Sequence, residues 1–228
     1  MDEIDDLDFS TMSFSDFVQF FFNHPDDQEF WSHDPQYAYS IVPATQPEVF
    51  VDHVTRLFAH FPSVVRKYSL RQINLGIWAL IGPALPVIEG LWNSSVPLEK
   101  RVECIRAMRN VYADFVATSK VAVMENCFDM WWDTLSDSFW MHAGQIESPD
   151  ASKLDSDSRT ILDAMFDTLK QILELPDLRT QGYALHGLGH LHHPGVRALV
   201  QQYIDAHKYE FEPDQLKWVE SCRDGTVM

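Results

Sequence analysis

Four of the ten histidines lie within fourteen residues, in the segment GYALHGLGHLHHPG at 182–195. On an α-helix, His186, His190 and His193 fall at positions i, i+4 and i+7 and therefore share one face. Two imidazoles four residues apart on a helix can bind one divalent metal ion. The spacing predicts a candidate metal site at these three histidines, and a metal-dependent or lyase-like enzyme as its functional consequence.

The same histidines have a second interpretation, as the end of a helix. Imidazoles in or after the last turn can donate to unpaired carbonyls and complement the negative end of the helix dipole. From Leu178 to Ile204 the sequence contains no Asp or Glu, so a carboxylate that orients a metal-binding histidine must come from elsewhere in the fold. We favour this second interpretation, in which the histidines close a helix and no cofactor is bound.

Two other groups of residues are candidates for contact with a partner. The segment DMWWDTLSDSFWMH at 129–142 combines tryptophans, whose ring faces bind cations, with carboxylates. Most of its aromatic residues fit the apolar stripe of a core helix, which leaves Trp132 and Trp140 near the edge. Asp26 and Asp27 lie in an acidic stretch and are candidates for contact with a basic surface.

Known nucleotide-binding and nucleophile motifs are missing from the sequence. Neither GxGxxG, nor a Walker spacing, nor GxSxG occurs. Gly187 and Gly189 follow a helical pattern rather than a strand, so we expect them to allow close contact between helices. The sequence therefore favours a non-enzymatic protein.

Acidic residues outnumber basic ones two to one, with 34 Asp plus Glu, 17 Lys plus Arg and a formal net charge of -17. The first 55 residues contain twelve acids and no Lys or Arg. Such a charge repels nucleic acid and anionic membranes, and it favours a basic partner. A further hypothesis is that the amino-terminal carboxylates imitate the phosphates of nucleic acid.

Cysteine usage and the amino terminus indicate a cytoplasmic protein. The three cysteines are widely spaced and form no CxxC motif, which is typical of a reducing compartment. The amino terminus, MDEIDDLDF, is acidic where a signal peptide would be basic. The least charged apolar stretch, 72–88, is interrupted by prolines and falls short of the roughly 20 residues that span a bilayer.

Helical periodicity recurs along the chain and no segment alternates as a strand would, so we expect an all-α protein. Residues 1–47 read as an acidic, aromatic-rich segment with one short helix, begun by Ser13 and Asp16, and an irregular connector. Residues 48–228 read as a helical-repeat domain with a polar linker near 142–157. Helices are expected at about 48–60, 63–81, 84–92, 97–117, 119–141, 161–173, 178–191 and 196–207.

Residues 161–206 resemble a HEAT repeat, a unit of two antiparallel helices joined by short turns. The resemblance depends on a helix that opens with Arg after an Asp-containing turn, carries small residues and ends near a proline turn; here those positions are Asp177, Arg179, Ala184, Gly187, Leu188, Gly189 and Pro194. A weaker likeness covers 48–92. The family implies stacked antiparallel helix pairs that form an α-solenoid, and the alternative is a compact helical bundle.

The resemblance implies a function in binding, because stacked helix pairs leave a broad surface free for a partner. Combined with the acidic composition, it predicts a non-enzymatic protein that binds a basic protein partner. Such a protein would serve as a scaffold or adaptor, or as an immunity-type protein that neutralises a toxin.

Overall fold

The computed structural model describes residues 7–25, 44–82, 89–118 and 127–227. In these ranges the regular secondary structure consists of eleven α-helices with short 3-10 and π turns, and there is no β-strand. The predicted all-α class is confirmed. The chain divides into an amino-terminal unit, residues 1–115 with 120–127, and a carboxyl-terminal unit, residues 116–119 with 128–228.

The amino-terminal unit contains six of the described helices. They are α1 (Phe14–Phe22), α2 (Pro47–Ala59), α3 (Phe61–Val65), α4 (Leu70–Ile81), α5 (Glu89–Trp92) and α6 (Leu98–Val111). The predicted helix at 63–81 is in fact two helices. Ser69 caps α4 in a reciprocal pair with Gln72, and this capping box begins a new helix where the apolar periodicity alone would continue the old one.

Phenylalanine side chains form much of the core around α1. Phe17, Phe21 and Phe22 are buried, and Phe9 joins them from the preceding turn. As the spacing predicted, Ser13 caps this helix by accepting a hydrogen bond from the backbone N–H of Asp16. The described part of the acidic, aromatic-rich segment at 1–47 therefore contributes directly to the core of this unit.

Two polar contacts join the segments of the amino-terminal unit. Asp8 accepts hydrogen bonds from the backbone N–H and the hydroxyl of Thr45, at 3.0 and 2.5 Å. Although burial favours the neutral carboxyl, these bonds and those from Ser10 hold the pKa of Asp8 at about 2. Lys100 of α6 pairs with Glu48 and Asp52 of α2, at 2.9 and 2.7 Å.

The carboxyl-terminal unit contains the other five helices: α7 (Trp131–His142), α8 (Ser156–Leu173), α9 (Leu178–Leu191), α10 (Val196–His207) and α11 (Pro213–Asp224). Asp155 begins α8 by accepting from the N–H of Ser158, and Asp177 begins α9 by accepting from the N–H of Thr180. Helix α9 ends at His192, whose φ of 53° lies in the left-handed region.

Helices α7 and α9 run parallel and lie side by side. Trp132 near the start of α7 contacts Gly187, where an added methyl group would lie 2.4 Å from the Trp132 Cβ atom. Farther along both helices, the indole N–H of Trp140 donates to the carbonyl of Leu191 at 3.1 Å. Because both residue numbers increase together, the two helices point in the same direction.

Helix α11 continues this parallel layer on the other side of α9. A methyl group added at Gly189 would lie 3.1 Å from the Cα atom of Cys222 in α11. At the ends of the same two helices, a methyl group added at Gly225 would lie 3.6 Å from the ring of His192. The role in helix contact predicted for Gly187 and Gly189 is therefore confirmed.

Helices α8 and α10 run antiparallel to this layer. Leu169 of α8 contacts Gly187 of α9, whereas Asp163, earlier in α8, binds His193 beyond the end of α9. An ion pair at 2.9 Å likewise joins Arg197, at the start of α10, to the end of α11. Each of α8 and α10 is therefore followed in the chain by a helix that runs antiparallel to it. Among the described helices, none is long and apolar enough to cross a bilayer.

Candidate functional site

Two aspartate–histidine contacts lie side by side between α7 and α9. The Nδ1 atom of His186 is 3.0 Å from the Oδ1 atom of Asp129, immediately before α7. The Nδ1 atom of His190 is 3.2 Å from the Oδ1 atom of Asp133 in α7. Both aspartates and both histidines are four residues apart, so two parallel helices bring them together in register.

The two histidines also contact each other. Their Nε2 atoms are 3.2 Å apart, within hydrogen-bonding distance. A proton on one of the two Nε2 atoms makes this contact an Nε2–H···Nε2 hydrogen bond. His186 and His190 form the histidine pair, and the carboxylates of Asp129 and Asp133 lie beside it.

The pKa values of the two histidines shift in opposite directions. The hydrogen bond to Asp129 raises the pKa of His186 above its usual value, and this outweighs the effect of partial burial. Burial lowers the pKa of His190, and the nearby positive charge of His186 lowers it further despite the attraction of Asp133. Burial and Asp133 also raise the pKa of Asp137, the next carboxyl along α7.

His193 is separate from the histidine pair, which corrects the prediction of one three-histidine face. It follows the end of α9, so helical spacing no longer applies to it. Its Nδ1 atom accepts from the backbone N–H of Gly195 at 2.9 Å, which places the ring proton on Nε2, 3.0 Å from Asp163. The ring stacks on Phe166 with centroids 4.1 Å apart. His192 and His193 therefore lie at the end of α9, where the second interpretation placed them, but the ring of His193 pairs with Asp163 and not with a helix carbonyl.

No three His, Cys, Asp or Glu side chains converge as a metal site in the part of the chain that the structure describes. The thiol of Cys222, on the neighbouring α11, is no ready donor because burial raises its pKa to about 12. His186 and His190 are the two members of the predicted cluster that could share a metal ion.

The tryptophans predicted at an edge are in the core. Trp132 is 0 % exposed and Trp140 is 2 % exposed. Gly187 permits α9 to approach α7 closely enough to cover both rings. Their faces are therefore closed to a partner in this structure. Asp26 and Asp27, the other predicted partner contacts, lie outside the described residues.

Sequence reasoning did not identify Asp129 and Asp133 as partners of the histidines. A signal was present, because Asp129, Asp133 and Asp137 repeat at the four-residue spacing of His186 and His190. Taken alone, such a repeat is also typical of a solvated helix face. Only the packing of α7 against α9 shows that it faces a matching row.

The raised pKa of His186 should make the free energy of unfolding depend on pH. Because the pKa of His186 is raised in the folded chain, its contribution is fully present below the unfolded value of about 6.5 and is lost as the pH rises through the folded pKa. We expect Asp129→Asn to lower the pKa of His186 and to cost roughly 1–2 kcal/mol in mildly acidic buffer, less at high pH.

Unfolding free energies of both proteins, measured by denaturant titration between about pH 5.5 and 8.5 with a chelator present, test this expectation. Imidazole NMR of His186 reports its pKa directly. A destabilisation by Asp129→Asn that stays constant or grows as the pH rises would contradict a pKa of His186 that is raised by Asp129.

Comparison of the chain with protein-family models, with curated proteins and with solved structures finds no match in any of the three, so the site is interpreted from its own geometry.

Proposed function

We propose that the chain is a non-enzymatic binding protein whose carboxyl-terminal unit contacts a basic region of a protein partner. The observation that carries the proposal is the charge of this unit. Residues 127–227 contain seventeen acidic and eight basic residues, an excess of nine negative charges. Complementary charge speeds the encounter with a basic partner and disfavours acidic competitors.

The basic residues of this unit are already largely occupied. Five of the eight form ion pairs with acids of the same unit: Lys153, Arg179, Arg197, Lys217 and Arg223. The excess charge therefore remains on carboxylates. Asp167 of α8 and Glu174, which directly follows α8, are both exposed, and neither has an ion-pair partner in the described part of the chain. They are seven residues apart and share one helix face, on which Lys170 is also exposed.

The helix arrangement supports a binding role. Stacked helix hairpins would produce the arrangement seen in this unit, in which α7, α9 and α11 are parallel and α8 and α10 are antiparallel to them. We propose that this unit is a short HEAT-like stack. Such a stack buries one face of each helix and leaves side chains of the other free to vary with the partner. A scaffold, an adaptor and a toxin-neutralising protein would all use this property.

The test is charge reversal on α8. We expect Asp167→Lys with Glu174→Lys to weaken binding of the native partner about tenfold or more, and we expect binding of the unmodified protein to weaken with added salt. The partner is captured from the source cell with the wild-type chain, identified, and then titrated as a purified protein.

The matched control is Glu99→Lys with Glu103→Lys, the same change in charge on exposed positions of α6 in the amino-terminal unit. This control should retain most of the affinity. An acidic partner, or a partner lost equally from both double variants, would count against the proposal.

A further inference from the structure

We propose that the histidine pair binds a divalent transition-metal ion, with Zn²⁺ the best fit, between the Nε2 atoms of His186 and His190. The proposal is independent of partner binding. It concerns metal binding alone and assigns no reaction to the site.

The separation of the two nitrogens matches a metal site. Zn–N bonds to histidine are about 2.0–2.1 Å long, and two ligands of a tetrahedral ion at that length lie about 3.4 Å apart. The Nε2 atoms of His186 and His190 are already 3.2 Å apart. A zinc ion would therefore need the two rings to move by only a few tenths of an ångström. Imidazole nitrogen is also a preferred ligand of Zn²⁺, Cu²⁺ and Ni²⁺.

The surroundings of the pair have the features that metal-binding histidines use. A histidine that binds a metal through Nε2 usually donates its Nδ1 proton to a carboxylate or carbonyl, which fixes the tautomer and the ring orientation. Here the Nδ1 atom of His186 is hydrogen-bonded to Asp129 at 3.0 Å, and the carboxylate of Asp133 lies 3.2 Å from the Nδ1 atom of His190 as a nearby charge. Their two negative charges would also balance the charge of a divalent ion.

The pair is accessible from solvent on the His190 side. The His190 side chain is 21 % exposed, whereas that of His186 is 8 % exposed. Two protein ligands leave the remaining coordination positions to water, so the affinity should be well below that of a four-ligand structural zinc site. We expect a Kd on the order of 1–100 µM near neutral pH.

The experiment is a titration of the untagged full-length chain with Co²⁺, followed by visible absorption, and with Zn²⁺, followed by calorimetry. We expect one Co²⁺ per chain, displaced by Zn²⁺. Absence of binding up to about 1 mM metal would overturn the proposal.

Variants distinguish this site from adventitious binding to other histidines. His190→Gln should weaken binding at least about tenfold, and Asp133→Asn, which keeps both ligands, should weaken it about 10–100-fold. The control is His207→Gln, because His207 also faces a carboxylate, that of Glu210 at 3.1 Å, but has no histidine beside it in α10.

Circular dichroism establishes that each variant is folded before titration. The expected result is a loss of affinity in the first two variants and none in the control. Unchanged binding by folded His190→Gln would show that the metal binds elsewhere. Equal affinity of wild type and Asp133→Asn would show that this carboxylate does not position the ligand.

Discussion

Replacing Gly187 with alanine should destabilise the carboxyl-terminal unit by about 2–3 kcal/mol. The new methyl group would lie 2.4 Å from the Trp132 Cβ atom and 3.0 Å from the Leu169 Cδ2 atom. The Leu169 side chain can change its rotamer, but the Trp132 Cβ atom is attached directly to the backbone of α7. Relief of the clash therefore requires α7 and α9 to move apart, and this movement opens the packed core.

Gly182 provides the matched control in the same helix. A methyl group at Gly182 meets no atom within 4 Å. Gly182→Ala should therefore stabilise α9 by up to about 1 kcal/mol, because alanine loses less backbone entropy than glycine on helix formation. Denaturant titration followed by far-UV circular dichroism should show shifts of opposite sign. Destabilisation of similar size by both substitutions would contradict the close approach of α7 and α9 at Gly187.

Helix boundaries were predictable where a capping signal coincided with a change in apolar pattern. The predicted bounds 178–191 and 196–207 agree with α9 and α10. The predicted helix at 161–173 begins five residues earlier, at Ser156, because Asp155 caps it. Helix α11 was not predicted, since only Val219 and Cys222 of this helix are buried. Pro213 in its first turn was the available signal.

The contacts of the site could not be predicted from spacing alone. Periodicity shows which residues share a face of one helix, as it did for His186 and His190, but it does not show which helices are neighbours. The pairing of Asp129 with His186 requires α7 and α9 to be parallel and in register. The prediction that His193 shares a helix face with His186 and His190 was wrong for a local reason. The left-handed backbone at His192 ends α9 before His193 is reached.

The prediction that Trp132 and Trp140 contact a partner failed because both residues pack against α9. A single amphipathic stripe predicts one buried face, but contact with α9 also buries Trp132 and Trp140. Small residues on α9 make this second contact possible. The core assigned to this unit from one stripe was therefore too small, and the surface available to a partner was overestimated.

Trp140→Phe should cost about 2–4 kcal/mol, whereas Trp132→Phe should cost about 1–2 kcal/mol. Both substitutions remove similar volume from buried positions. Only Trp140 donates its indole N–H to the chain, at 3.1 Å to the carbonyl of Leu191. This carbonyl lies in the last turn of α9, where no backbone N–H of the helix is available to it. Phenylalanine would leave it buried and without a donor, which adds to the cost of the lost volume.

In Trp132, by contrast, the indole N–H is buried with no acceptor in reach among the described residues. Its removal therefore loses no hydrogen bond. Denaturant titration gives the two free energies of unfolding, and amide hydrogen exchange adds a local test. Exchange in the last turn of α9 should accelerate in Trp140→Phe beyond what the global destabilisation explains. Equal destabilisation, with equal protection of that turn in both variants, would mean that the indole N–H of Trp140 does not stabilise the end of α9.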